Sequence, residues 1–332
     1  MDFFTHLVIG IVLGRLFSKD SNKQKAIALG SILPDFDIFL AWIPSISPNF
    51  YILSHRGLFH SFLALLFMFP FIVLLLNKIL MYNRLESIKE ELNIQITTIS
   101  YIYGIIGSYI HLFMDLLNPQ GIAPLIPLSD QRYTLSTMNF IEPLVSIPAF
   151  VLIIILIFKK YYKKQSINII TFDKASRVIS LTFVFFIILN TFLMTQTITA
   201  QKTTNTVPDW IFINRWVIID ENDTYTVILI NQLTQQVEKS YSLTKISFNE
   251  SELTIAQAHQ LIEKAKDSIQ YRKFQFNLDP DVRTMVNITR NIMSNQWVVS
   301  FIDIVGQVQS KYYGLPENSF FQNSVKIKIN NS

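Results

Sequence analysis

The chain has 332 residues, of which 50% are hydrophobic and only 16% charged, with a mean hydropathy of +0.33; the apolar excess is larger than a soluble core absorbs, and a membrane is its natural solvent. A net charge of +4 with no basic and aromatic patch excludes a nucleic-acid partner. The absence of cysteine excludes disulfides and thiolate metal sites, so any metal must be held by His, Asp or Glu.

Apolar runs crowd the first two thirds of the chain, which predicts a membrane-embedded helical domain over residues 1–200 and a small soluble α+β domain over residues 205–332. In chain order, residues 3–18 and 25–43 are apolar but interrupted by His6, Arg15, Pro34, Asp35 and Asp37. They are expected to be short, broken or partly re-entrant. The first segment opens Met-Asp-Phe-Phe-Thr-His, without the positive leader of a signal peptide, and is read as part of the mature protein. Residues 59–77, 140–158 and 178–197 have the length and apolarity of spanning helices. Residues 99–117 add another, with Gly104, Gly107 and Ser108 as the small residues that let membrane helices approach closely. The expectation is about six spans.

The intervening segments 19–24, 78–98 and 159–177 carry Lys19, Lys23, Lys78, Arg84, Lys89, Lys159, Lys160, Lys163, Lys164, Lys174 and Arg177, whereas the opposite short loops carry only Arg56 and Arg132. The positive-inside rule then puts the first set in the cytoplasm and both termini outside an inner (cytoplasmic) membrane. In the tail, the alternating stretches WIFINRWVII, YTVILIN, WVVSFIDI and VKIKI predict strands, and TIAQAHQLIEKAKDSI predicts a helix with a Thr cap. The TITAQ near residue 200 resembles a cleavage site by chance only.

Four of the five histidines, His6, His55, His60 and His111, lie before residue 112. With Asp35, Asp37 and Asp115 they all fall at the outer ends of their predicted spans, a coincidence not built into a topology derived from Lys and Arg alone. His111 and Asp115 are four apart, so on a helix they share one face at roughly 5 to 6 Å. Pro34 should turn the chain so that Asp35 and Asp37 face water. Carboxylates and imidazoles together suit a divalent ion, zinc or manganese, and seven candidate ligands (His6, Asp35, Asp37, His55, His60, His111 and Asp115) suit two ions sharing a bridging carboxylate better than one. Asp37 is also a candidate general base. Arg56 is a candidate clamp for phosphate or for charge developing in a transition state, and Gly57 allows a tight turn beside it. Each residue alone has an ordinary explanation as a cap, a turn or an interfacial anchor. Asp2 reads as a helix N-terminal charge, His259 as a surface residue, and Asp130 and Glu142 match no ligand spacing.

In order along the chain, THLVIGIVLG, ALGSILPDFD, HRGLFHS and HLFMDLLNPQG resemble the YdjM-type family of inner-membrane metal-dependent hydrolases over about residues 1–135. The usual family motif is H-R-G-x-T-H-S; His55, Arg56, Gly57, His60 and Ser61 match it, while Phe59 stands in place of the threonine and removes a hydroxyl there. The resemblance implies a membrane-bound metal hydrolase, and the tail lies outside it. The expected function is hydrolysis of a phosphoester or a lipid-like small molecule at the outer membrane face, with membrane lipid as neighbour. Two alternatives stay open: an ion- or proton-handling or transport protein, which would need polar residues through the whole membrane thickness, and a membrane-anchored binding module with a structural metal.

Overall fold

The computed structural model describes residues 2–82, 93–139, 143–161, 169–209, 211, 213–249, 251–278, 283–291, 294, 296–315 and 324–330. Arg84, Lys89, Glu142, Lys163, Lys164, the first residues of the predicted span 140–158, and Trp210 and Phe212 of the first predicted strand lie outside the described residues. The chain divides into two compact units, Met1–Ile43 with Ile52–Asn190, and Pro44–Tyr51 with Thr191–Ser332.

The first unit is helical. Helix α1 (Phe3–Phe17) is capped by the Asp2 carboxylate, which accepts from the Thr5 amide at 3.0 Å. Helix α2 (Ser21–Gly30) starts on Asp20 in the same way. Pro34 has no N–H to donate and forbids continuation of α2; the chain tightens instead into a 3₁₀ helix over Pro34–Phe39. The segment Pro34–Ile46, which contains the short α3 (Ile43–Ile46), is bent by 50° from α2. Two further 3₁₀ turns, Pro48–Leu53 and Leu58–His60, lead into α4 (Phe62–Tyr82). Helix α5 (Thr98–Leu116) begins with a capping box between Thr97 and Ser100, and α6 (Pro143–Tyr161) and α7 (Ile169–Gln201) follow.

Among the described residues, three helical stretches are long and apolar enough to cross a membrane: Phe62–Ile79, Thr98–Leu116 and Arg177–Gln201. The bent pair formed by α2 and Pro34–Ile46 makes a fourth if it is one span. The expected six spans are therefore not found. Helix α1, at 15 residues, covers only roughly 22 Å at 1.5 Å per residue, short of about 30 Å of hydrocarbon. In α6 the apolar stretch among the described residues is Val145–Ile155. Composition made α1 look like a span, but its helix stops at Phe17, below spanning length.

Helix α2 packs along α5, with α1 on α2 and α6, and α4 on α5. The α2–α5 contact is backbone to backbone: a Cβ on Gly30 would collide with the Gly104 carbonyl, and one on Gly107 with the Ile27 carbonyl. Leu65, Phe69 and Val73 of α4 close the core against Ile105 and Leu112 of α5. Gly107 lies one helical turn before His111, and Ser31 directly follows Gly30, so this close approach sets the spacing of what comes next. Gly107→Val should force α2 and α5 apart and lower the thermal midpoint of the detergent-solubilised protein, at an overpacking cost of about 1–3 kcal/mol. An unchanged midpoint would show that the contact does not hold the two helices together.

The second unit contains two four-stranded sheets. In the first, β1 (Thr206–Pro208), β2 (Asn214–Asp220), β3 (Thr224–Asn231) and β4 (Gln236–Thr244) are antiparallel neighbours in that order. In the second, β5 (Ile246–Ser247) runs parallel to β6 (Thr284–Asn291), which continues antiparallel to β7 (Gln296–Asp303) and β8 (Ser324–Asn330). Helices α8 (Ile255–Lys266) and α9 (Ile269–Asn277) bury Ala258, Ile262 and Phe274 against Val286, Val299 and Phe301 of the second sheet. Helix α10 (Ile304–Tyr312) follows β7 yet packs Ile304, Val305 and Val308 with Trp216 and Leu229 of the first. The Tyr313 hydroxyl donates to Asp209 at 2.7 Å; burial and that carboxylate raise its pKa. His259 is exposed on α8, as expected. The same unit includes Pro44–Tyr51, whose Pro44 carbonyl accepts from Lys273 Nζ at 2.7 Å and whose Tyr51 ring meets Phe276 edge-on at 5.2 Å.

Candidate metal centre

All seven histidines and aspartates singled out above converge in the first unit. On α5, His111 Nε2 and Asp115 Oδ2 are 3.5 Å apart. From α1, the His6 ring stacks on His111 with centroids 3.6 Å apart, and its Nε2 lies 3.3 Å from Asp115 Oδ1. The 3₁₀ turn Leu58–His60 supplies His60, whose Nε2 lies 3.2 Å from His111 Nε2 and 3.3 Å from Asp115 Oδ2.

Asp35 and Asp37 take different places because their helix has three residues per turn, so side chains two apart diverge by roughly 120°. Asp35 Oδ1 faces His60 Nε2 at 3.7 Å and His111 Nε2 at 3.5 Å. Asp37 instead receives His55 Nδ1 at 2.8 Å on one oxygen, and on the other His60 Nδ1 at 3.1 Å and the Arg56 amide at 3.0 Å.

Two groups of potential ligands result: Asp35, His60, His111 and Asp115, and Asp37, His55 and His60, with the donor atoms of each group within 4.8 Å of one another. The first group passes a test of size. Its five pairwise separations just given span 3.2 to 3.7 Å. Five of the six edges therefore match a tetrahedron whose centre lies roughly 2.0 to 2.3 Å from each corner, the bond length of zinc-like ions to nitrogen and oxygen. The imidazoles are also presented correctly: His111 Nδ1 is taken up by the Ser31 carbonyl at 2.7 Å and His60 Nδ1 lies 3.1 Å from Asp37 Oδ2, so both turn Nε2 toward the group. The second group reuses His60 through its other nitrogen.

Charge gives an independent test. Arg56, His6, His60, His111 and Asp115 have no exposed surface, Asp37 is 1% exposed, and the Asp35 side chain is 12% exposed. Among the described residues, three buried or nearly buried carboxylates and one guanidinium gather here, and its Nη2 lies 3.2 Å from Asp115 Oδ1. With neutral imidazoles these described side chains are net negative, which favours a cation beside them; without a counter-charge such burial is costly. The residues therefore fit a divalent ion.

Arg56 has φ of +64°, a left-handed conformation that a non-glycine residue adopts at a cost. Its amide bond to Asp37, its carbonyl bond from Ala123 N at 3.4 Å and its guanidinium on Asp115 hold it there. Gly57 next to it is required, since a Cβ would strike the Ile52 carbonyl. Sequence reasoning missed two partners, the Ser31 carbonyl and the Ala123 amide; as backbone groups they leave no residue-type signal. His55 is the most open member, with 36% of its side chain exposed.

Asp37→Asn should lower metal affinity by roughly 10- to 100-fold, the usual worth of a carboxylate that orients a metal-binding imidazole. Competition with a chromogenic chelator measures this, and affinity equal to wild type would show that Asp37 does not act on the ion through His60.

The sequence model of the YdjM inner membrane protein family matches residues 1–201, more than half of the chain. The chain is also 28% identical over 158 residues to a Bacillus subtilis (strain 168) protein described as uncharacterized protein YfhP. That match covers 44% of this chain and 43% of the relative, so the chain spans less than half the length of the curated relative it matches. No solved structure matches.

Proposed function

Because the chain belongs to the YdjM inner membrane protein family, we propose that it is a membrane-bound, divalent-metal-dependent hydrolase acting on a phosphoester or lipid-like substrate. One observation carries the reading: Asp35, His60, His111 and Asp115 converge from three separate chain segments at the spacing of a single coordination shell. Zinc and manganese suit this mixed set of two imidazoles and two carboxylates. An ion held there supplies Lewis acidity and the means to make water a nucleophile at neutral pH.

The protein's own residues supply the rest. Asp37 fixes His55 through Nδ1 and leaves Nε2 of that partly exposed ring to accept or deliver a proton at the mouth of the site. In this role Asp37 acts through imidazoles rather than as the base itself. Arg56 keeps Asp115 in place and offsets part of the carboxylate charge, which leaves the ion electrophilic. His6 packs its ring on His111 and limits its rotation.

The site lies at the end of the first unit where α1 begins and α5 ends. Lys19, Lys23 and Lys25 follow the opposite end of α1. By the positive-inside rule that opposite end is cytoplasmic, the site is at the outer face, and the tail is extracytoplasmic. Externally added protease should cleave the tail in spheroplasts, whereas protection would reverse the assignment.

The functional test is a hydrolysis screen on purified full-length protein, with an aryl phosphodiester and phospholipid vesicles as probes, before and after chelation and with zinc or manganese restored. Metal-dependent turnover that is lost in Asp35→Asn is the expected result. A protein that holds its metal yet turns over neither probe class would count against the proposed substrates, and one without metal against the whole reading.

A further inference from the structure

Beside the metal centre the chain is inside out by the measure of a soluble protein. The 3₁₀ helix Pro34–Phe39 and the residues after it bury Asp37 and nearly bury Asp35, yet expose Ile38, Phe39 and Trp42, the last two by 72% and 59%. With three residues per turn, Ile38 follows Asp35 on the same side of that helix. A second apolar tip comes from the segment after α5, where Leu125 and Leu128 are exposed, Leu128 by 87%. This tip is tied to the centre: the Ala123 amide donates to the Arg56 carbonyl, and the Phe62 amide donates to the Pro124 carbonyl at 2.9 Å. All of these residues belong to the first unit.

Inward carboxylates with outward Phe, Trp and Leu call for apolar surroundings on the outer side. Depth says which. Helix α5, with 19 residues, covers about 28 Å at 1.5 Å per residue, close to the thickness of the hydrocarbon. His111 and Asp115 lie in its last two turns, so the ion-binding group is at the level where lipid headgroups begin. The two tips continue the exposed apolar surface of the spanning helices, which shows Phe62 at the start of α4 and Phe113 near the end of α5. Their polar backbone is already provided for. Pro124 and Pro127 have no N–H, the Ile126 and Leu128 amides donate within the turn to the Ala123 and Leu125 carbonyls at 3.5 and 2.8 Å, and the Trp42 indole donates to the Phe39 carbonyl at 2.9 Å. We propose that Ile38, Phe39, Trp42, Leu125 and Leu128 form a rim seated in the bilayer, and that the substrate is a lipid phosphoester whose head crosses this rim to the ion site while its chains stay in the leaflet. Asp35 and His55, the members of the centre with the most exposed side chains, are the groups that such a head meets first. The identity of the substrate rests on the hydrolase reading above; the seating of the rim does not.

The chain has no cysteine, so Phe39→Cys, Leu128→Cys and, as an aqueous reference, His259→Cys each carry a single spin label. In full-length protein reconstituted into vesicles of phosphatidylglycerol and phosphatidylcholine, power saturation should find the labels at positions 39 and 128 more accessible to oxygen than to a nickel chelate. The label at position 259, exposed on α8, should show the reverse. Nickel access at positions 39 and 128 equal to that at 259 would overturn the proposal, as would exclusion of both reagents, which would mean that protein covers the tips. On the metal-loaded chain, Phe39→Asp/Leu128→Asp should lower turnover of vesicle phospholipid relative to a soluble aryl phosphodiester by roughly 10-fold or more, as expected when two large apolar side chains leave the lipid. An unchanged ratio would overturn the lipid substrate. Labels at hydrocarbon depth in a chain that turns over neither probe would count against the hydrolase reading, and with it the substrate, while the rim would stand.

Discussion

Asp115→Asn should leave the purified protein without its divalent ion while the chain stays folded. Asparagine matches aspartate in shape, so α5 and its packing are preserved; what disappears is one negative charge and the strongest oxygen donor in the group. Asp115 uses both oxygens, Oδ2 toward His60 and His111 at 3.3 and 3.5 Å, and Oδ1 toward His6 and Arg56 at 3.3 and 3.2 Å. Outer partners alone are worth about 10- to 100-fold in metal affinity, so removal of a direct carboxylate ligand should exceed roughly 100-fold. Elemental analysis after dialysis against trace-metal-free buffer gives the result, and circular dichroism shows whether the helices persist. His111→Ala should behave alike. Full ion content in both variants would sink the assignment of this group as a metal site.

The second large effect belongs to Arg56. It is fully buried, and its guanidinium pairs with a fully buried carboxylate. Arg56→Met keeps most of the volume but leaves Asp115 short of its partner, and breaking a buried pair from one side costs about 3–5 kcal/mol. The thermal midpoint of the metal-loaded protein should fall by many degrees. Arg56→Lys, which keeps the charge but loses the planar fork, should fall between the two. Adding Asp115→Asn to Arg56→Met should recover part of the loss, because the orphaned charge is gone. A midpoint equal to wild type in Arg56→Met would remove Arg56 from the buried charge balance.

Much of this centre was readable in the residues. The His111–Asp115 spacing of four was bound to place both on one helical face, and the gathering of seven polar groups at one end of the helices followed from where lysines and arginines were absent. The division of labour between Asp35 and Asp37 was not readable, because it depends on where His55, His60 and His111 are brought from other segments of the chain. The span count exceeded what the described residues hold because hydropathy registers apolar residues, whereas crossing a bilayer requires uninterrupted length, and α1 lacks it. In the tail, β2, β3, β7 and β8 announced themselves by alternation, but β4 is exposed along most of its length and its sequence, QVEKSYSLT, carries no apolar period. Helix α10 begins where the predicted strand WVVSFIDI ends, in a stretch for which the sequence offered no element.

The grip of Lys273 and Phe276 on Pro44 and Tyr51 has a practical consequence for anyone who would study the helical part by itself. That short loop leads back to Asp37 on one side and forward to His55 on the other. A chain shortened after Gln201 would deprive it of both partners at once. Amputation would thus do more than remove the sheets; it would split the second unit, to which Pro44–Tyr51 belongs.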